Sequence, residues 1–228
     1  MNIRILQLLE GARQASGLVV VIDVFRAFSV ACYVFGNGAA RIIPVGELEA
    51  AYELKRRHPH YLLLGERGGQ RPPGFDFGNS PTEVEHYDFT DRTVVQTTSA
   101  GTQGLVNVPQ ATETITGSFV NAYAVVNYIK AKDPAEVSLV CMGREAVEPS
   151  DEDTLCARFI KDSLEGRATN FAHVRKHLRR YASARKFFDP LLTWAPESDF
   201  DLCLDLGRFD FVLRAEPDED QLRILKKG

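Results

Sequence analysis

The sequence predicts an α/β protein, a parallel or mixed sheet covered by helices, and three observations carry that expectation. Through the first two thirds of the 228 residues, short β-branched runs alternate with longer segments of helical period. The run Leu18-Val19-Val20-Val21-Ile22 is apolar without alternation, as in a strand buried on both faces. The composition, 44% hydrophobic and 25% charged, is that of an ordinary globular chain long enough to bury a substantial core.

After that first strand, residues 27–35 read as a helix, 41–45 as a second strand and 47–57 as a helix with apolar residues at helical spacing. A third strand covers 61–64. Glycines and prolines then exclude regular structure across residues 65–79, a long loop of the kind that carries function in compact domains. Ser80-Pro81-Thr82-Glu83 starts a helix, with a capping serine, proline at the first helical position and an acid three residues after the cap. Further strands are expected at 93–97, 112–115 and 137–141, and further helices at 102–108 and 122–132. Ser150-Asp151-Glu152-Asp153 opens a helix to about residue 164, its serine as cap and its acids at the positive end, closed by Gly166. Residues 170–192 and 196–206 look helical, and 211–213 form a short strand before a charged tail. The expectation is a single domain over residues 1–228; the similar outlines of the first strand-helix pair and the unit at Thr93 make two similar halves, divided near 110–120, the alternative.

Lys and Arg number 27 against 31 Asp and Glu, a formal charge of −4, which disfavours a broad nucleic-acid or anionic-membrane footprint; an anionic ligand must be met locally. The four cysteines lie far apart with no metal-ligand spacing and read as buried free thiols. No cleavable leader follows the N-terminus and no apolar stretch approaches the roughly 20 residues of a membrane helix, so the expected place is the cytoplasm. A homodimer is the default oligomer.

Four segments carry chemistry. In Ile22-Asp23-Val24-Phe25-Arg26, an acid at a strand end precedes an arginine by three residues, where open α/β sheets bind ligands. Asp23 can hold Mg²⁺ and Arg26 can fork onto an anion, or Asp23 caps the next helix and Arg26 pairs with it. The loop from Gly65 to Pro81 combines glycines, which let backbone approach a ligand, with Glu66, Arg67, Arg71 and Asp76; the plainer reading is a solvated loop. Thr97-Thr98-Ser99-Ala100-Gly101-Thr102 sets hydroxyls and amides before a helix, an anion cradle or simple capping, without the lysine of a nucleotide phosphate loop. Glu152 and Asp153 sit in a first helical turn, as metal ligands or as complements to the helix dipole.

A magnitude favours a metal if a phosphomonoester is cleaved. Such hydrolysis demands rate enhancements up to about 10²¹, roughly 28 kcal/mol, beyond a few helix-end amides. A hard cation polarising the phosphoryl oxygens, with arginines opposite, is the economical complement, and Asp23, Glu66, Glu152 and Asp153 are ligands suited to Mg²⁺.

Together these segments resemble the 2-phosphosulfolactate phosphatase family of coenzyme M biosynthesis. The matching stretches are Val20 through Ser29, Gly65-Glu66-Arg67 with Gly74 through Pro81, Thr97-Thr98 with Gly101-Thr102, Gly117 through Asn121, and Glu152 through Ala157. The resemblance implies a three-layer α/β/α sandwich, Mg²⁺ dependence and hydrolysis of 2-phospho-3-sulfolactate, a small, multiply anionic phosphate ester, to 3-sulfolactate and phosphate. The site expected from residues and resemblance together has Asp23, Glu152 and Asp153 on Mg²⁺, with Glu66 as a further ligand or as the base. Arg26, Arg67 and Arg71 meet the anions, Thr97, Thr98, Ser99, Gly101 and Thr102 cradle the phosphate, and Asn79 and Ser80 fix the loop or touch substrate. The alternatives are a phosphohydrolase for another small phosphorylated carboxylic acid and a non-catalytic anion-binding module.

Overall fold

A computed structural model of the chain describes residues 1–217 and 223–228. Its strands are β1 (Asn2–Gln7), β2 (Ser16–Ile22), β3 (Arg41–Pro44), β4 (Leu62–Gly65), β5 (Thr93–Thr97), β6 (Gln110–Gly117), β7 (Glu136–Cys141), β8 (Leu213–Pro217) and β9 (Arg223–Lys227). The helices are α1 (Leu8–Gln14), α2 (Ala27–Gly36), α3 (Leu48–Arg57), α4 (Pro81–Val84), α5 (Gly101–Val106), α6 (Ala122–Lys132), α7 (Asp151–Leu164), α8 (Phe171–Leu178) and α9 (Glu197–Cys203).

The strands form one mixed sheet in the order β1-β7-β2-β6-β8-β9-β3-β5-β4. Two parallel blocks, β1-β7-β2-β6 and β3-β5-β4, are bridged by the antiparallel pair β8 and β9, which touches β6 at two residue pairs and β3 at one. Side-chain alternation divides the core into layers. Val19 and Val21 of β2, with Ile42, Leu64 and Val94 of the other block, meet α1, α2 and α5. Leu18, Val20 and Ile22 point the other way, onto α6, α7 and α9. On that same side of the second block, Ile43, Leu63 and Val95 meet α3. The result is the three-layer α/β/α architecture. Helix α2 is buried along nearly its whole length, which its sequence Ala-Phe-Ser-Val-Ala-Cys-Tyr-Val-Phe allows because it is apolar all round.

Several elements differ from the sequence reading. β1 and α1 precede the first expected strand, and β9 follows the last. The helix expected over 170–192 is shorter: α8 stops at Leu178 and a 3-10 segment, Ala182–Phe188, follows. The expected strand at 211–213 starts at Leu213 and runs to Pro217. Ser80 and Ser150 occupy N-cap positions, but neither hydroxyl caps its helix. All four cysteines are buried and free. Among the described residues no helix is long and apolar enough to cross a membrane.

Candidate active site

The turns after β2, β4, β5 and β7 line one cavity of about 480 Å³, closed on its far side by residues 182–194. In the turn after β2, Asp23 Oδ1 accepts the Ala27 amide at 3.0 Å, which satisfies one of the free donors at the start of α2. Its Oδ2 takes no hydrogen bond from the described residues. Asp153 fixes this turn from behind: its two oxygens accept the amides of Val24 and Gly143, each at 2.8 Å, tying the ends of β2 and β7 together. Gly101 closes the other flank, where a Cβ would lie 2.7 Å from Ala27 Cβ and 2.8 Å from Asp23 Oδ2, so only glycine lets α5 approach.

Glu66 organises the two turns of the second block. Oε1 accepts the Ser99 amide at 2.6 Å, while Oε2 accepts the Gly69 amide at 2.7 Å and the Ser99 hydroxyl at 3.1 Å. Arg26 is 2% exposed and donates through Nη1 to Asp199 at 2.6 Å and to the Trp194 carbonyl at 2.7 Å. Asp199 also accepts from Ser80, from the Thr82 amide and from the Thr82 hydroxyl, so it anchors the loop that begins at β4.

The electrostatics raise three of the acids. Burial lifts Asp23 from the ordinary 3.8 to about 7; the Ala27 amide and Lys186 oppose the rise, and the neighbouring Glu66 and Glu152 carboxylates add to it. Burial also raises Glu152, with the nearby Ser183 hydroxyl and then Lys186 opposing. Asp153 is raised by burial and by Glu152 and Asp23, against the pull of its two amides. Glu152 Oε2 is buried without a hydrogen-bond partner, and so are Asn79 Oδ1, Ser150 Oγ and Ser183 Oγ, all on residues lining this cavity. Unpaired buried polar atoms are uncommon in folded proteins, and four around one cavity mark a place built for a polar ligand.

Of the residues singled out in the sequence, Asp23, Arg26, Glu66, Asn79, Ser99 and Glu152 line the cavity together. Asp153, Gly101 and Ser80 stand behind its wall in the roles just described. Thr97, Thr98 and Thr102 are buried away from the opening: the Thr102 hydroxyl accepts the Thr98 amide at 3.0 Å and donates to the Thr98 carbonyl at 3.0 Å, and Thr97 accepts from Arg67. The two loop arginines do not reach the cavity. Arg67 turns back onto the carbonyls of Gly46 and Glu66, and Arg71 lies on the surface near Glu83. Lys186, Arg185 and Trp194 line the cavity without having been singled out; the only local sign is the Arg185-Lys186 pair, next to two phenylalanines in a stretch of 166–188 that holds no acid. Among the described residues no three His, Cys, Asp or Glu side chains form a ready-made metal cage.

The geometry gives Asp153 a test. Asp153→Ala strands the buried Val24 amide and the half-buried Gly143 amide, each costing about 1–3 kcal/mol, and should lower stability by about 2–6 kcal/mol in urea denaturation at pH 4, where the raised carboxyl carries little linkage penalty. Asp153→Asn, which keeps one acceptor, should fall between that variant and the native protein. An unchanged midpoint for the alanine variant would remove the clamp.

Comparison with known proteins agrees with this geometry. Residues 4–217 match the family described as 2-phosphosulpholactate phosphatase. The chain is 34% identical over 204 residues to a probable 2-phosphosulfolactate phosphatase of Thermotoga petrophila, an alignment covering 85% of this chain and 86% of that protein. It is 32% identical to the probable 2-phosphosulfolactate phosphatase of Bacillus subtilis, over 87% of each chain. A third relative of the same description, from Thermotoga maritima, is 33% identical over 85% of this chain and 86% of its own.

Proposed function

Since the chain belongs to the 2-phosphosulpholactate phosphatase family, we propose that it hydrolyses the phosphomonoester of 2-phosphosulfolactate, releasing 3-sulfolactate and inorganic phosphate. The observation that carries this reading is the pairing, in one cavity, of two acids that keep an oxygen free, Asp23 and Glu152, with the cations Arg26 and Lys186. Cations on the phosphoryl oxygens stabilise charge where it is held in the transition state. In the metal-free protein Asp23 has a pKa of about 7, so a cation taken up on its free oxygen near neutrality displaces a proton and holds the carboxylate ionised. Arg144 and Arg185, at the mouth, offer charge to the remaining anions of the substrate.

The cofactor we propose is Mg²⁺. Asp23 Oδ2 and Glu152 Oε2 suit it, because Mg²⁺ commonly uses one or two carboxylates and takes its other oxygens from water and substrate, so no larger cage is needed. Asp153 spends both oxygens on amides and fits a positioning role better than a ligand role. Bound there, Mg²⁺ would polarise the phosphoryl oxygens. The buried free thiols suit the reducing cytoplasm.

The test is phosphate release by chelator-treated protein, with and without added Mg²⁺, from 2-phosphosulfolactate, phospholactate and phosphoglycolate in parallel. Expected is Mg²⁺-dependent release with preference for the sulfonated ester. Equal rates on all three would make the protein a phosphohydrolase for small phosphorylated carboxylic acids, and no release from any would leave an anion-binding module.

A further inference from the structure

We propose that Lys186 is a substrate-binding residue whose ammonium contacts the phosphoryl group, supplied by a segment outside every motif that identifies the family resemblance. This deepens the phosphatase reading and rests on it.

The placement follows from packing. The 3-10 segment Ala182–Phe188 is pinned by Phe187, 2% exposed, whose ring meets Phe25 edge-on at 4.9 Å and Phe200 at 6.1 Å, while Phe188 meets Phe200 at 5.2 Å. Phe25 belongs to the turn after β2, so this aromatic contact fastens the segment to the acid-bearing wall. Lys186, one residue before the pinned ring, enters the cavity and donates from Nζ to the Phe25 carbonyl at 3.2 Å.

Charge then distinguishes it from its neighbours. Arg26, the other inner cation, already has a carboxylate partner, Asp199, on its Nη1 at 2.6 Å. Lys186 has no carboxylate within ion-pair distance among the described residues, although Asp23 and Glu152 act on it across the cavity and Arg26 repels it. A half-buried ammonium without a contacting anion is poorly compensated for its lost hydration. A phosphate lying between Lys186 and the two acids supplies that anion, and lysine is a common phosphate partner as a compact point charge. Arg185, the adjacent residue, is exposed at the mouth and lies further out.

The test compares wild type, Lys186→Met, which keeps the stem and loses the charge, and Lys186→Arg, which keeps the charge. Three readings are taken: steady-state phosphate release, calorimetric binding of inorganic phosphate, and thermal denaturation. Lys186→Met should lose about 10²–10³-fold in kcat/KM, the usual effect of deleting one donor to a developing anion. It should bind inorganic phosphate at least about tenfold more weakly, as loss of a charge-assisted contact implies, and melt within a few degrees of wild type. Lys186→Arg should regain part of both functional losses. Activity and phosphate affinity of Lys186→Met within threefold of wild type would overturn the assignment. So would a loss matched by a large drop in melting temperature with phosphate affinity unchanged, which would make Lys186 a tether for the Phe25 carbonyl. Wild-type protein that cleaves no ester but binds phosphate through Lys186 would reject the phosphatase reading and keep this one; wild-type protein that binds no phosphate would reject this one.

Discussion

Asp23→Asn should abolish turnover and, in metal-free protein at pH 8, make the fold more stable. The loss of activity, at least about 10³-fold in kcat, follows if Asp23 handles a proton or a cation in the reaction, because asparagine does neither. The gain in stability follows from linkage. The folded-state pKa, about 7, lies above the unfolded value near 3.8, so the folded protein holds a proton that the unfolded chain has released. Stability from this group is therefore complete below pH 4, falls as pH rises through the window from about 4 to 7, and stays low above it. Asparagine escapes that loss while still accepting the Ala27 amide through its Oδ1. A shift of three units corresponds to about 4 kcal/mol, shared with Glu152 and Asp153, so a rise of about 5–10 °C in melting temperature at pH 8 is expected, with almost no change at pH 4. Wild-type activity in this variant would take Asp23 out of the chemistry. Equal melting at pH 8 would show that its carboxylate is not disfavoured by the fold.

Asp199→Ala should be the most destabilising single substitution in the site. Asp199 is fully buried and answers Arg26, the Ser80 hydroxyl, and the amide and hydroxyl of Thr82. Removing it leaves a guanidinium that is 2% exposed with the Trp194 carbonyl as its one hydrogen-bond partner among the described residues. Breaking one side of a buried ion pair costs about 3–5 kcal/mol, which in a chain of this size lowers melting by roughly 6–20 °C. The double variant Arg26→Leu with Asp199→Leu should recover much of the loss, because no unpaired charge remains. If Asp199→Ala melts within about 2 °C of wild type, the pair does not hold the loop over the cavity. Activity should fall as well, since Arg26 and the segment bearing Trp194 both line the site.

How far the sequence discloses this site depends on whether each feature is local. The turn after β2 is readable because an unbroken apolar strand ends at an acid, and strand ends carry ligands in α/β sheets. The loop of residues 65–79 is readable from its glycines and prolines. What separates Asp23 and Glu152 from Glu66 and Asp153 is not readable, since all four are acids beside strand-helix turns. The difference lies in which backbone amides the fold aims at them: Gly69 and Ser99 at Glu66, Val24 and Gly143 at Asp153. Arg67 illustrates the same limit, because the carbonyls of Gly46 and Glu66 and the Thr97 hydroxyl claim a guanidinium that composition alone would assign to substrate.

The fold shows a parallel division. Helices and strands with strong apolar periodicity, such as α2, α6, β2 and β7, agree closely with their sequence signals. Strands β8 and β9 carry Arg214, Glu216, Lys226 and Lys227, which mask their pattern, and their place between β6 and β3 depends on pairing with residues about 100 to 180 positions away. The helical period of residues 170–192 continues past Leu178, yet docking of Phe187 between Phe25 and Phe200 converts the second half to a 3-10 segment. Tertiary contact overrides propensity there, and it is this override that delivers Lys186.

The proposed divalent cation lies between Asp23 and Glu152, facing Arg26 and Lys186. Anomalous diffraction from crystals grown with Mn²⁺ in place of Mg²⁺, in the presence of inorganic phosphate, would locate it. The expected peak lies between the two carboxylates with phosphate on its open side. A cation bound elsewhere, or phosphate seated away from Lys186 and Arg26, would contradict the account.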